Sequence, residues 1–118
     1  MFIYFFIISV AAIHLYFFYL ETFLYTTPYG CRVFGITESF ANESKLLAAN
    51  QGVYNLMLAV GLIGCLFISG EAKAALATYI FSFVVVVGLF GGHTVSSKIY
   101  FFQALPGFLG LLALCFFA

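Results

Sequence analysis

Four long apolar runs, separated by short polar breaks, organise the chain. The first covers residues 2–25 and stops at Thr26-Thr27-Pro28-Tyr29-Gly30, where proline and glycine break helical geometry. The others cover about 45–69, 74–91 and 99–118. Each is near the ~20 apolar residues that a helix needs to cross ~30 Å of hydrocarbon. The predicted fold is all-α: an integral membrane four-helix bundle with short loops, forming a single transmembrane domain over 1–118. Residues 31–44 read as the longest loop, with Thr37-Glu38 as an N-cap and acidic first turn leading into the second helix. Gly70-Glu71-Ala72-Lys73 reads as a tight turn, and 92–98 as the third loop. Barrel strands are not expected, because they alternate apolar and polar residues over ~10 positions and these runs are apolar all round. The valine run 84–87 belongs to the third span for the same reason.

Composition strengthens this picture. Hydrophobic residues make up 65% of the 118 and charged residues 7%, with a mean hydropathy of +1.18, whereas a soluble domain carries about 25% charged residues. The lipid bilayer is thus the first partner and a cell membrane the location. Formal net charge is zero and no basic stripe is present, so nucleic acid is not a partner. Cys31, Cys65 and Cys115 are far apart, without the spacing of a zinc or redox motif. Cys65 and Cys115 read as small packing residues. With His14 and His93 the only histidines, neither a metal site nor a cofactor is expected. Residues 1–25 lack a basic lead and a cleavage signature, so they read as a retained helix rather than a signal peptide.

An even span count puts both termini on one side. Arg32, Lys45 and Lys98 lie toward loops one and three and Lys73 toward loop two, so the positive-inside rule places loops one and three in the cytoplasm.

Polar residues within the spans mark where chemistry is expected. Counted at ~1.5 Å per residue from the side of loops one and three, Glu21 is ~6 Å deep, Asn50 and Gln51 ~8 Å, and Gln103 ~7 Å. Asn55 at ~15 Å and His14 at ~17 Å lie nearer the midplane. His14 and Glu21, seven apart, share a helix face, as do Gln51 and Asn55, four apart. An intramembrane carboxylate costs ~2.5–3.5 kcal/mol on insertion scales and needs partners. The expected site is an inward polar cluster of Glu21, Asn50, Gln51, Asn55 and Gln103, with His14 deeper and His93, Arg32 and Lys98 near the rim. The alternative is that the same groups simply hold helices together, as polar residues do at ~0.6 kcal/mol per contact. Pro106, three residues after Gln103, removes a backbone donor and frees the Phe102 carbonyl, a kink of the kind found beside pockets. Gly88-x-x-x-Gly92 fits either a dimer motif or packing within the bundle.

Several blocks together resemble a known family. They are His14-Leu15-Tyr16 through Leu20-Glu21, Thr26-Thr27-Pro28-Tyr29-Gly30, Val33-Phe34-Gly35, Ala49-Asn50-Gln51-Gly52-Val53-Tyr54-Asn55, Thr94-Val95-Ser96 and Gln103-Ala104-Leu105-Pro106. The chain resembles, over nearly its whole length, the small membrane family of unknown function DUF1304. The resemblance implies a bacterial-type four-span membrane protein and brings no activity with it. Its blocks fall on Glu21, Asn50, Gln51, Tyr54, Asn55, Gln103 and Pro106. Two positions depart from the family pattern, Tyr25 where Trp is usual and Leu56 where Gly is usual, which implies a pocket of different rim and floor.

Four functions fit these residues. The first is binding of a small polar or amphipathic molecule, or a lipid, in a half-membrane pocket. The second is an isomerase-like enzyme on an apolar substrate, with His14 or Glu21 as general acid or base. The third is a small proton-coupled exporter acting as a homodimer. The fourth is an accessory subunit of a membrane complex.

Overall fold

A computed structural model describes residues 2–117. It is all-α, with no strand among the described residues. Helix α1 (Phe2–Tyr19) runs into a widened π-helical turn, Leu20–Leu24; α2 is Pro28–Phe34, α3 Glu38–Gly64 and α4 Gly70–Thr94; a second π turn, Tyr100–Ala104, leads into α5 (Leu105–Phe117). Four stretches, Phe2–Leu24, Glu38–Gly64, Gly70–Thr94 and Tyr100–Phe117, are long and apolar enough to cross a membrane.

The helix boundaries differ from the expected ones at three places, each with a local cause. The second long helix starts at Glu38, at the expected Thr37 cap and ahead of the apolar run near 45, because the Thr37 hydroxyl accepts from the Phe40 N–H at 3.2 Å and caps it. Most of the expected loop 31–44 is therefore helical, in α2 and the start of α3. The same helix ends at Gly64 rather than 69. There Leu66 and Phe67 bond back to the Ile63 and Gly64 carbonyls at 2.9 and 3.0 Å, in the tight three-residue pattern of a terminating turn. Gly70–Lys73 is consequently the first turn of α4 and not a loop; the reversal lies before it, and Gly70 itself adopts a left-handed φ of 64°. Finally, Gly92, His93 and Thr94 complete α4, helped by a Thr94 hydroxyl bond to the Phe90 carbonyl at 2.7 Å, so the third connection shrinks to residues 95–99.

The chain divides into two compact units, Met1–Ile13 with Ala59–Ala118, and His14–Leu58. In the first, α4 and the segment from Tyr100 onward meet through small residues. A Cβ on Gly88 would lie 2.5 Å from the Ala104 nitrogen, and one on Gly110 would lie 2.6 Å from the Phe81 ring. Gly92 packs against the Tyr100 ring. Gly88 and Gly92 are thus both used up inside this unit. Phe81, Val84, Leu62 and Cys65 are buried, whereas Cys115 is exposed and does not act as a packing residue. Lys73 donates to the Tyr4 hydroxyl at 2.7 Å with its ammonium 4.1 Å from that ring's centroid, and the Phe2 and Phe117 rings are 5.2 Å apart. These contacts bring the start of α1, the start of α4 and the end of α5 to one end of the unit.

The distribution of side-chain size is the reverse of a soluble protein's. Alanines 11, 41, 48, 59, 77, 104 and 113 are buried, while Phe67 (84% exposed), Phe116, Leu46 and Leu47 face outward. Only 22–33% of each apolar window is buried.

Candidate functional site

The unit His14–Leu58 gathers its polar groups around the π turn Leu20–Leu24. The cause is readable in the chain. Pro28 has no N–H, so the Leu24 carbonyl loses the donor that a continuing α-helix supplies four residues on. Thr27 replaces it twice, with its N–H at 3.1 Å and its hydroxyl at 2.6 Å. The same hydroxyl accepts from the Gly30 N–H at 3.1 Å, capping α2, whose first residue is Pro28. Gly30 must lack a side chain, because a Cβ there falls onto the Leu24 and Tyr25 carbonyls. Gly35, at φ 66°, closes α2 with its N–H on the Arg32 carbonyl at 3.3 Å, and Ile36 bonds to Cys31 at 3.0 Å. The result is a short helix folded tightly against the end of the first long one.

Helix α3 meets the π turn at Gly52. A Cβ there would collide with the Thr22 hydroxyl and lie 3.2 Å from the Phe18 carbonyl oxygen and 3.3 Å from Glu21 Cβ. This close approach, which only glycine permits, lets Asn55 one turn later reach the carboxyl: Asn55 Nδ2 donates to Glu21 Oε2 at 2.7 Å and to the Gln51 carbonyl at 3.3 Å. Both protons of the amide nitrogen are thereby engaged. Glu21 and Asn55 are 8% and 7% exposed. Among the described residues, Glu21 has no cationic partner, and its second oxygen, Oε1, makes no hydrogen bond. The Thr22 hydroxyl oxygen is also buried without a hydrogen bond, pressed against Gly52.

A half-open groove of about 200 Å³ runs beside this pair, lined by Glu21, Thr22, Phe23, Tyr25, Thr26, Lys45, Leu46 and Ala49. Glu21 forms its acidic part and Lys45, exposed and without an ion-pair partner among the described residues, its basic part. Above it the Tyr25 and Ser44 hydroxyls bond at 2.9 Å, and Ser44 donates to the Phe40 carbonyl at 2.6 Å, tying the two helix ends together. Tyr16 and Tyr29 join hydroxyls at 2.6 Å on the outside.

Of the residues singled out from sequence, Glu21 and Asn55 are brought together. Asn50 is exposed and donates to the Leu46 carbonyl of its own helix at 3.0 Å. Gln51 is exposed and contributes only its backbone carbonyl, and Tyr54 is 72% exposed; none of the three lines the groove. His14 is fully buried in α1, with its ring edge-on to Phe17 at 5.7 Å. His93 and Gln103 belong to the other unit: His93 is exposed in the last turn of α4, and Gln103 is half-buried within the second π turn. In that turn Leu105 bonds five residues back, to the Tyr100 carbonyl, and Pro106 follows directly, where the proline kink was expected. Thr22, Thr26, Lys45 and Ala49 were not anticipated. Pro28, four residues past Leu24, was the available signal for a disturbed turn, and Gly52 the signal for a close helix contact.

No solved structure matches the chain. Residues 8–115 match the sequence profile of the family described as "Protein of unknown function (DUF1304)". Among curated proteins, the chain is similar to "Uncharacterized protein YpaA" of Lactococcus lactis subsp. lactis (strain IL1403), with 34% identity over 101 residues, covering 84% of this chain and 82% of that protein. With both π turns, the Glu21 groove and all but the first turns of α1 inside the matched region, the chain belongs to the family of unknown function DUF1304.

Proposed function

We propose that the protein is a four-span integral membrane protein of a bacterial membrane that holds a small polar or amphipathic ligand in the Glu21 groove. Membrane insertion is supported by four helices of sufficient length and hydropathy whose large apolar side chains face outward. In water such contiguous apolar surface drives association; in lipid it is the ordinary exterior. The bacterial assignment is supported by the similarity to the Lactococcus lactis protein.

One observation carries the ligand reading. A buried carboxyl is oriented by a single amide through one oxygen, while its residue lines a groove and its other oxygen makes no bond among the described residues. A carboxyl that serves only to join helices gains most by spending both oxygens on the neighbouring helix. The acid–base reading took His14 or Glu21 as the general acid or base; of the two, only Glu21 lines the groove.

The test is a thermal-shift screen of polar metabolites and lipid head-group analogues on the full chain in detergent. Each hit is repeated on Ala49→Phe, which fills the groove from its α3 wall. Ligands that raise the native Tm and leave Ala49→Phe unmoved support the reading. A screen in which no compound shifts the native protein, or in which Ala49→Phe responds equally, overturns it.

A further inference from the structure

The groove pairs two opposite charges, and this suggests the chemistry of what enters it. We infer that the ligand is a zwitterion with an ammonium for Glu21 and an anionic group, such as a phosphodiester, for Lys45; this rests on the ligand reading proposed above. Four observations converge on it.

First, the two charged residues lining the groove are one acid and one base, and neither is neutralised by another described residue. A purely anionic ligand would bring its charge against the Glu21 carboxyl, and a purely cationic one would meet Lys45. A dipolar ligand satisfies both. Second, the remaining polar lining, Thr22, Thr26 and Tyr25, is uncharged and adds no bias toward either sign. Third, at about 200 Å³ the groove is below the ~300–1,000 Å³ of pockets for drug-sized molecules, so it accommodates a head-group-sized fragment. Fourth, its position suits a molecule held at a membrane boundary. Glu21 precedes the end of the Phe2–Leu24 span by three residues, about 5 Å along the helix axis. Lys45 follows the polar first turns of α3, just before its apolar stretch begins. Leu46 and Phe23, both strongly exposed, form the apolar side of the same groove, where the glycerol or acyl part of a lipid could lie.

An aminoethyl phosphate group has this pattern, whether it belongs to a membrane phospholipid or to a soluble phosphodiester. Its ammonium donates to Glu21 Oε1, leaving the Asn55 bond to Oε2 in place. Its phosphate accepts from the Lys45 ammonium and a threonine hydroxyl. The Asn55 amide then acts as a positioning group, holding the carboxyl toward the groove.

The experiment uses the full chain in lipid vesicles with Cys31, Cys65 and Cys115 replaced by alanine and Ala49→Cys added as a reporter of the groove. Protection of that cysteine from a maleimide is measured against glycerophosphoethanolamine, ethanolamine and glycerol phosphate in phosphatidylglycerol vesicles, and against phosphatidylethanolamine incorporated in the vesicle. The zwitterion is expected to protect at least tenfold more effectively than either single-charge fragment. Lys45→Gln, at an exposed position that does not threaten folding, should reduce zwitterion protection to the level of ethanolamine, and Glu21→Gln to that of glycerol phosphate. Protection by phosphatidylethanolamine in the vesicle but not by the soluble diester identifies a lipid ligand; the converse identifies a solute. Either result supports the zwitterion. Equal protection by a single-charge fragment, or no effect of Lys45→Gln while Glu21→Gln abolishes protection, overturns the zwitterion and leaves a groove ligand standing. No protection by any of the four probes, together with an empty thermal-shift screen, removes the ligand reading itself.

Discussion

Gly52 is the residue through which the geometry of the candidate site can be tested most directly. In Gly52→Ala the added Cβ sits inside contact distance of the Thr22 hydroxyl, with the Phe18 carbonyl oxygen at 3.2 Å and Glu21 Cβ at 3.3 Å on its other sides. Restoring an ordinary ~3.5 Å separation needs α3 to retreat by ~1 Å. The Asn55 to Glu21 bond, 2.7 Å long, would then stretch to ~3.7 Å, beyond hydrogen-bond range. Overpacking costs ~1–3 kcal/mol and the lost interhelical bond ~0.6–1.7 kcal/mol, while the alanine returns ~0.5–1 kcal/mol of helix propensity. The net expectation is a loss of about 1–4 kcal/mol. Gly64→Ala is the matched control: it is in the same helix, and no atom lies within 4 Å of its added Cβ, so it should be neutral or stabilising by up to ~1 kcal/mol. Both are measured by reversible unfolding in mixed micelles followed by far-UV circular dichroism. A Gly52→Ala protein as stable as the native one, or a Gly64→Ala protein equally damaged, would refute the claim that close approach at Gly52 sets the Glu21 and Asn55 geometry.

The pair itself should show measurable coupling. Asn55→Leu leaves a buried carboxyl unpaired and should cost ~1–3 kcal/mol, much of it recovered in Glu21→Leu/Asn55→Leu, with a cycle energy of ~0.6–1.7 kcal/mol read from the same unfolding curves. Thr27→Val removes both the α2 cap and a donor to the Leu24 carbonyl and should destabilise by ~1–2 kcal/mol, whereas Thr27→Ser, which keeps the hydroxyl, should retain most of the stability. If Arg32, Lys45 and Lys98 set the orientation, a phosphatase fused to the C-terminus will be active outside the cytoplasm; an active cytoplasmic fluorescent fusion at that end would reverse the assignment.

Much of the architecture was legible in the chain because apolar length is a strong signal. The all-α class, the four long helices, the Thr37 cap and a break ahead of Pro28 all follow from hydropathy and turn chemistry, although Pro28 to Gly30, expected inside the break, form the first turn of α2. The ends were harder to read. Cys65 to Ile68 is as apolar as the helix before it, so hydropathy alone could not show that α3 stops at Gly64. Residues 38–44 are mostly polar yet helical, because the Thr37 cap starts the helix and Ala41 gives its first turns a buried contact. In the candidate site, depth counting found the level of Glu21 but not its neighbours' directions. Asn50 and Gln51 share that level but are exposed, and Gln51 does not join Asn55 on one buried face as its spacing suggested, because the close contact at Gly52 turns the Gly52 and Asn55 side of α3 inward. His14 and Glu21, expected on one face, are both buried, and Glu21 is the second residue of the π turn.

The two π turns suggest why a carboxyl is found at this place at all. Each carries a polar residue, Glu21 in Leu20–Leu24 and Gln103 in Tyr100–Ala104, and each is followed within four residues by a proline, Pro28 or Pro106. In lipid a carbonyl deprived of its donor costs several kcal/mol, so a proline near a span end obliges the helix to find another arrangement. At the first turn that arrangement is visible atom by atom: Thr27 takes the Leu24 carbonyl. One extra residue in a turn also rotates everything after it by roughly 100° relative to a continuous α-helix. This lets Leu20 and Glu21 both lie on the buried side while Thr22, Thr26 and Tyr25 still reach the groove. A helix joined to its neighbour by one amide contact would need none of this. The widened turn, the glycine opposite it and the short helix that locks it in place together orient one carboxyl toward an opening, and such local rearrangements of the ladder recur at functional sites. Pro28→Ala separates the two purposes: it restores the donor to Leu24, should allow the turn to relax toward α geometry with little loss of stability, and should weaken groove protection at Ala49→Cys. Unchanged protection in a stable Pro28→Ala protein would mean that the π turn does not shape the site.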